Sequence, residues 1–95
     1  MFIGIMKIDL RFHAVSSLKE KRSIVNRIKM KLASRFKISI AEVEDQELYN
    51  SSVIGVCFIS NTKDHAASRG QNIITFLEKF ESDVFHDYNL IVEEY

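Results

Sequence analysis

Ninety-five residues suffice for one domain with one hydrophobic core. A composition of 46% hydrophobic and 27% charged residues is that of a soluble globular protein, and no apolar run approaches the length of a membrane span. The formal charge of zero hides an asymmetry: residues 1–37 hold ten Lys and Arg against two acids, whereas residues 38–95 hold three against eleven. Such a split fits a half that faces a polyanion, a self-complementary assembly, or internal neutralisation. The single cysteine, Cys57, rules out an internal disulfide and fits a reducing, cytoplasmic location.

The first stretch, "MFIGIMKIDLRF", alternates. Phe2, Gly4, Met6, Ile8, Leu10 and Phe12 share one face of a strand, and Ile3, Ile5, Lys7, Asp9 and Arg11 share the other. Lys7 and Asp9 break the apolar run that a secretory leader needs. At "SSLKEKRS" the pattern changes. Ser17 and Glu20 have the spacing of a capping box, with the Ser17 hydroxyl accepting from the amide of residue 20 and the Glu20 carboxylate reaching back to the amide of residue 17. A helix from Leu18 to Arg35 or Phe36 follows, with Ile24, Val25, Ile28, Leu32 and Phe36 as its buried stripe.

"ISIAEVEDQ" (38–46) reads as a second strand and "ELYNSS" (47–52) as a turn. "VIGVCFIS" (53–60) is apolar on both faces and predicts a central, well-covered strand. Asn61 or Thr62 caps a second helix, whose inner side carries Ala66, Gly70, Ile73, Ile74, Leu77 and Phe80. "DVFHDYNLIVEE" (83–94) closes the chain as a last strand. The order β-α-β-β-α-β predicts an α+β ferredoxin-like plait: a four-stranded antiparallel sheet with both helices on one face and strands one and three central.

The first helix is the main functional clue. Lys19, Lys21, Arg22, Arg27, Lys29, Lys31 and Arg35 lie on it, Lys37 follows it, and Glu20 is its only acid. A phosphate backbone needs many cations along one accessible surface, whereas ordinary surface helices mix signs and gain pair energy from doing so. The bland reading is a solvated face neutralised by the acidic half.

Nothing in the chain spells reaction chemistry. His13, His65 and His86 fall in three different segments without metal-ligand spacing. Glu42 and Glu44 fall on one strand face and Asp45 on the other; with Glu47 they read as a solvated edge. Cys57, inside an apolar strand, reads as a buried, inert thiol. No Gly-rich loop cradles a phosphate. The expectation is a non-enzymatic protein without cofactor or bound metal. Ile3 and Ile5 on the helix-free face of the sheet point to a contact with a second copy.

"IGIMKIDL", "SLKEKRSIV" (17–25), "AEVEDQ" (41–46) and "GVCFISN" (55–61) together resemble the bacterial YlxP-like family, a domain-of-unknown-function family numbered 503. The resemblance covers nearly the whole chain, and "SLKEKRSIV" is its most specific piece. One departure is Leu48-Tyr49, where members often carry a Trp after the acidic turn. The resemblance implies a ferredoxin-like domain and no established enzymatic activity. Members are often encoded between translation initiation factor two and ribosome-binding factor A, which implies work near the small ribosomal subunit. The combined expectation is an accessory protein of ribosome maturation or translation that contacts ribosomal RNA, or the small-subunit surface, through its first helix. The alternative is a homodimeric protein-interaction module without nucleic-acid binding.

Overall fold

The computed structural model describes residues 1–95, with β1 (Phe2–Arg11), α1 (Leu18–Arg35), β2 (Ser39–Glu44), β3 (Ser51–Ser60), α2 (Lys63–Phe80) and β4 (Phe85–Glu94). The strands form one antiparallel sheet in the order β2-β3-β1-β4. The predicted ferredoxin-like plait is therefore the observed one, and β1 and β3 are its central strands.

The alternation of β1 explains the core. Met6, Ile8 and Leu10 are buried beside Ile54, Val56 and Phe58 of β3. Val25, Ile28 and Leu32 of α1 and Ala66, Ile73, Ile74 and Leu77 of α2 close over them in one cluster. Each buried large aliphatic side chain contributes about 1.5–3 kcal/mol relative to leaving it exposed. Two glycines let elements approach closely. A Cβ on Gly70 would lie 2.6 Å from Leu90 Cδ2, so α2 sits against β4 only because none is there. On β1, the Phe58 ring occupies the space a Gly4 side chain would need, and the Arg69 guanidinium lies over the same ring, 4.6 Å from its centroid.

Several local expectations are corrected. Ser17 Oγ does accept from the Glu20 amide at 3.1 Å, but the Glu20 carboxylate accepts from the Ser16 hydroxyl at 3.0 Å instead of from the Ser17 amide. The cap is thus one-sided, with Ser16 taking the acid. Of the two expected caps of α2, Thr62 is the one that acts, its hydroxyl accepting from the His65 amide. Strand β3 begins at Ser51, two residues earlier than its apolar run, because Ser51 and Ser52 find polar partners and can be buried: Asp45 Oδ2 at 3.1 Å and Glu42 Oε2 at 2.6 Å.

The largest local difference is a bulge in β2. Glu42 pairs with Ile54 and Glu44 with Val53, so two steps on β2 match one on β3. Glu42 and Glu44 consequently face opposite sides of the sheet instead of sharing one. Cys57 is exposed, not buried. Reading β3 as covered on both faces requires layers on both sides, and the helices supply only one.

Candidate nucleic-acid interface

Helix α1 starts where Ser17, in extended geometry, accepts the Glu20 amide with its hydroxyl oxygen. It ends at Phe36, whose extended backbone turns the chain towards β2. Between these points the structure divides the predicted cations into three groups.

Lys21 leaves the surface altogether. Its side chain has no solvent exposure, and its Nζ lies 2.8 Å from Glu42 Oε2 and 2.5 Å from the Asp45 carbonyl. The bulge aims Glu42 inward, and Asp45, at φ 63°, adopts the left-handed turn that presents its carbonyl. Asp is among the residues that tolerate this conformation best. Burial alone would push the Glu42 carboxyl up. Hydrogen bonds from Lys21 and Ser52, together with the charges of Lys21 and Lys29, outweigh it and hold the carboxyl below its ordinary range. The expected phosphate contact at Lys21 is therefore corrected to a buried anchor between α1 and the β2–β3 connection. The sequence signal was available in the spacing: residues 21, 25, 28 and 32 fall on one helical face, so Lys21 belongs with the core stripe.

Two further cations are tied to acids, Arg27 to the largely buried Glu81 and Arg22 to the exposed Glu47. Arg27 donates through Nε and Nη2 to Glu81 at the end of α2. Arg22 stands 3.7 Å from Glu47, with both side chains largely exposed, a pair worth about 0–1 kcal/mol.

Lys19, Lys29, Lys31, Arg35 and Lys37 have no acid within 4.0 Å. Lys31 and Arg35 lie along the α2 side of α1, over Phe80 (5.9 Å) and Phe76 (4.7 Å). Those contacts order the stems and leave the charges facing water. Between the rows of cations, Ser23, Asn26, Met30 and Ser34 line a shallow depression with Arg27 and Lys31. Met30 is 73% exposed. These uncharged residues follow the 3.6-residue period of the outer face, a signal that attention to charge alone passes over. Internal neutralisation of this basic segment is thus partial: three of its eight cations are paired and five are not.

The three histidines remain apart: His13 follows β1, His65 is in the first turn of α2, and His86 is in β4. The acids of β2 are divided among Lys21 on one face and Lys7 on the other, where Lys7 Nζ lies 2.7 Å from Glu44 Oε2. No group of three or more His, Cys, Asp or Glu is arranged to hold a metal ion. No helix is long and apolar enough to cross a membrane.

Comparison with known proteins agrees with the fold. The designed protein Foldit4 superposes with a TM-score of 0.54, covering 99% of this chain and 97% of its own, at 8% identity. A point mutant of SnoaB, a cofactor-independent oxygenase from Streptomyces nogalater, superposes with a TM-score of 0.50, covering 99% and 92%, at 12% identity. Likenesses at such identities concern the fold alone. In sequence, the uncharacterized protein YlxP of Bacillus subtilis (strain 168) is 26% identical over 78 residues, which span 82% of this chain and 85% of that protein. The family described as "Protein of unknown function (DUF503)" matches residues 3–89. The chain, from the first strand to the last, therefore belongs to the DUF503 family.

Proposed function

We propose that this protein is a non-enzymatic RNA-contacting accessory of small-subunit ribosome maturation or translation, acting in the cytoplasm through the exposed flanks of α1. The observation that carries the reading is the set of five cations with no acid within 4.0 Å, Lys19, Lys29, Lys31, Arg35 and Lys37, on one helix and its C-terminal extension. Phosphates are the natural counter-charges for such a surface, since each engaged phosphate releases condensed counterions. Lys19 also stands in the first turn of α1, where the helix dipole favours an anion. Arg22, whose partner Glu47 is largely exposed, can exchange that carboxylate for a phosphate at little cost. The placement of this contact at the ribosome rests on the resemblance to the YlxP-like family.

The experiment is capture of the tagged protein from lysate, with and without nuclease. Recovery of small-subunit ribosomal RNA that nuclease abolishes is the expected result. Recovery of no RNA, or of proteins alone in unchanged amount after nuclease, overturns the reading.

A further inference from the structure

The face of the sheet opposite the helices carries an apolar surface that the RNA reading does not use. The strand register brings its members together. Ile3 is opposite Ile59, and Ile5 lies between Cys57 on one side and Ile91 on the other. Ala41 is opposite Gly55, and Val43 of the bulge covers the Gly55 backbone. Ile5, Val43, Ile59 and Ile91 are 40%, 43%, 62% and 48% exposed. They share one patch, and Cys57 is exposed at its centre.

We propose that this face packs against the same face of a second copy, forming a two-fold homodimer with the two Cys57 side chains close to the axis. Three arguments select that occupant. First, the charges round the patch carry both signs, Lys7 and Arg11 against Asp9, Glu44, Asp87 and Glu93, and Lys7 is already held by Glu44. A rim with an excess of acids repels RNA and anionic lipid, whereas mixed signs pair with a rotated copy of themselves. Second, the dimensions reach the lower end of a specific interface. Strands of six to ten residues at about 3.3 Å each, about 4.8 Å apart, present at most on the order of 600 Å² across the whole face, against roughly 600–1,000 Å² per partner in stable complexes. Third, the apolar side chains are contiguous towards one end of the strands, at Ile3, Ile5, Ile59 and Ile91, and Asp9, Arg11 and Asp87 lie towards the other end, so an apolar area with charges at its margin can exclude water. Two such faces stack about 10 Å apart. The α1 helices then lie on the two outer surfaces of the dimer, so this assembly and RNA contact are independent.

The single cysteine makes the test direct. A bis-maleimide with a spacer of about 8 Å, added to dilute nuclease-treated protein, is expected to join two chains through Cys57, and light scattering is expected to give twice the 11.0 kDa chain mass. Ile59→Lys and Ile91→Lys are both expected to give monomers that no longer cross-link. Both side chains are exposed, so circular dichroism and thermal melting should match the parent. Met30→Lys, on the opposite side of the molecule, should keep the dimer. A monomeric parent at tens of micromolar overturns the proposal. So does a dimer that survives both isoleucine substitutions, or one that nuclease dissolves.

Discussion

Lys21 Nζ lies 2.8 Å from Glu42 Oε2 with the lysine side chain wholly enclosed, so the most conspicuous basic run in the chain keeps one of its charges inside the protein. Removing one member of a buried pair leaves the other charged and unpaired, which costs about 3–5 kcal/mol. Lys21→Met is therefore expected to lose that much stability in urea unfolding. The double variant Lys21→Met/Glu42→Leu should recover part of it, because apolar side chains of similar volume often replace such a pair without loss, whereas the buried Ser52 hydroxyl and the Asp45 carbonyl lose their partners.

The same pair sets an acid limit. Glu42 titrates below its ordinary value in the folded state. A carboxylate with a depressed folded pKa contributes stability that is full above its unfolded pKa, about 4.3, and that is lost as pH falls through the folded value. Stability measured by urea unfolding from pH 6 downward should decline from about pH 5. In Glu42→Gln that part of the decline should be missing, with lower stability at the neutral end of the series.

Overpacking at Gly4 should be costly although the residue lies in a regular strand. An alanine there puts a methyl into the Phe58 ring, which Arg69 also covers. Arg69 in turn donates to the carbonyls of Ile59 at 2.6 Å and Lys37 at 2.8 Å, so the ring cannot shift without disturbing that link. Gly4→Ala is expected to destabilise by about 1–3 kcal/mol, measured by thermal melting.

The caps separate two roles within "SSLKEKRS". Ser17→Ala should cost about 1 kcal/mol, because the Glu20 amide loses its acceptor. Glu20→Ala should cost less than about 0.5 kcal/mol, because its carboxylate holds only the exposed Ser16 hydroxyl. Equal losses in chemical unfolding would restore the reciprocal box that the spacing predicts.

Most of the fold is legible from periodicity. The two-residue alternation of β1 and the 3.6-residue stripes of both helices survive into the structure because burial enforces them. What is hidden follows from single events that periodicity cannot carry. One extra residue at Val43 turns Glu44 away from Glu42, and this splits an apparent acidic cluster into two ion pairs on opposite faces. Lys21 looks like its neighbours Lys19 and Arg22, and only its phase with Val25 and Ile28 marks it as inward. The exposure of Cys57 follows from the lack of a second layer, which the apolar composition of β3 conceals. The pairing of Arg27 with Glu81 joins residues 54 apart and has no local signal.

Among the cations, the structure distinguishes those free to meet phosphate from the one that is not. Lys29→Gln/Lys31→Gln removes two unpaired charges without placing an acid beside Glu42. The salt dependence of RNA binding should become shallower by about 1.4 in log–log slope, with the melting temperature nearly unchanged. The folded Lys21→Met/Glu42→Leu variant should keep the parental slope, since Lys21 does not reach solvent.

The most direct test of RNA contact through α1 is a filter-binding titration of the parent protein against small-subunit ribosomal RNA at about 50 and about 200 mM salt. Five engaged cations give a slope of about −3.5 at about −0.7 each, and so a loss of roughly 100-fold in affinity between the two conditions. Absence of binding at the lower salt, or an affinity that does not change between them, would contradict the assignment of α1 as an RNA-contacting surface.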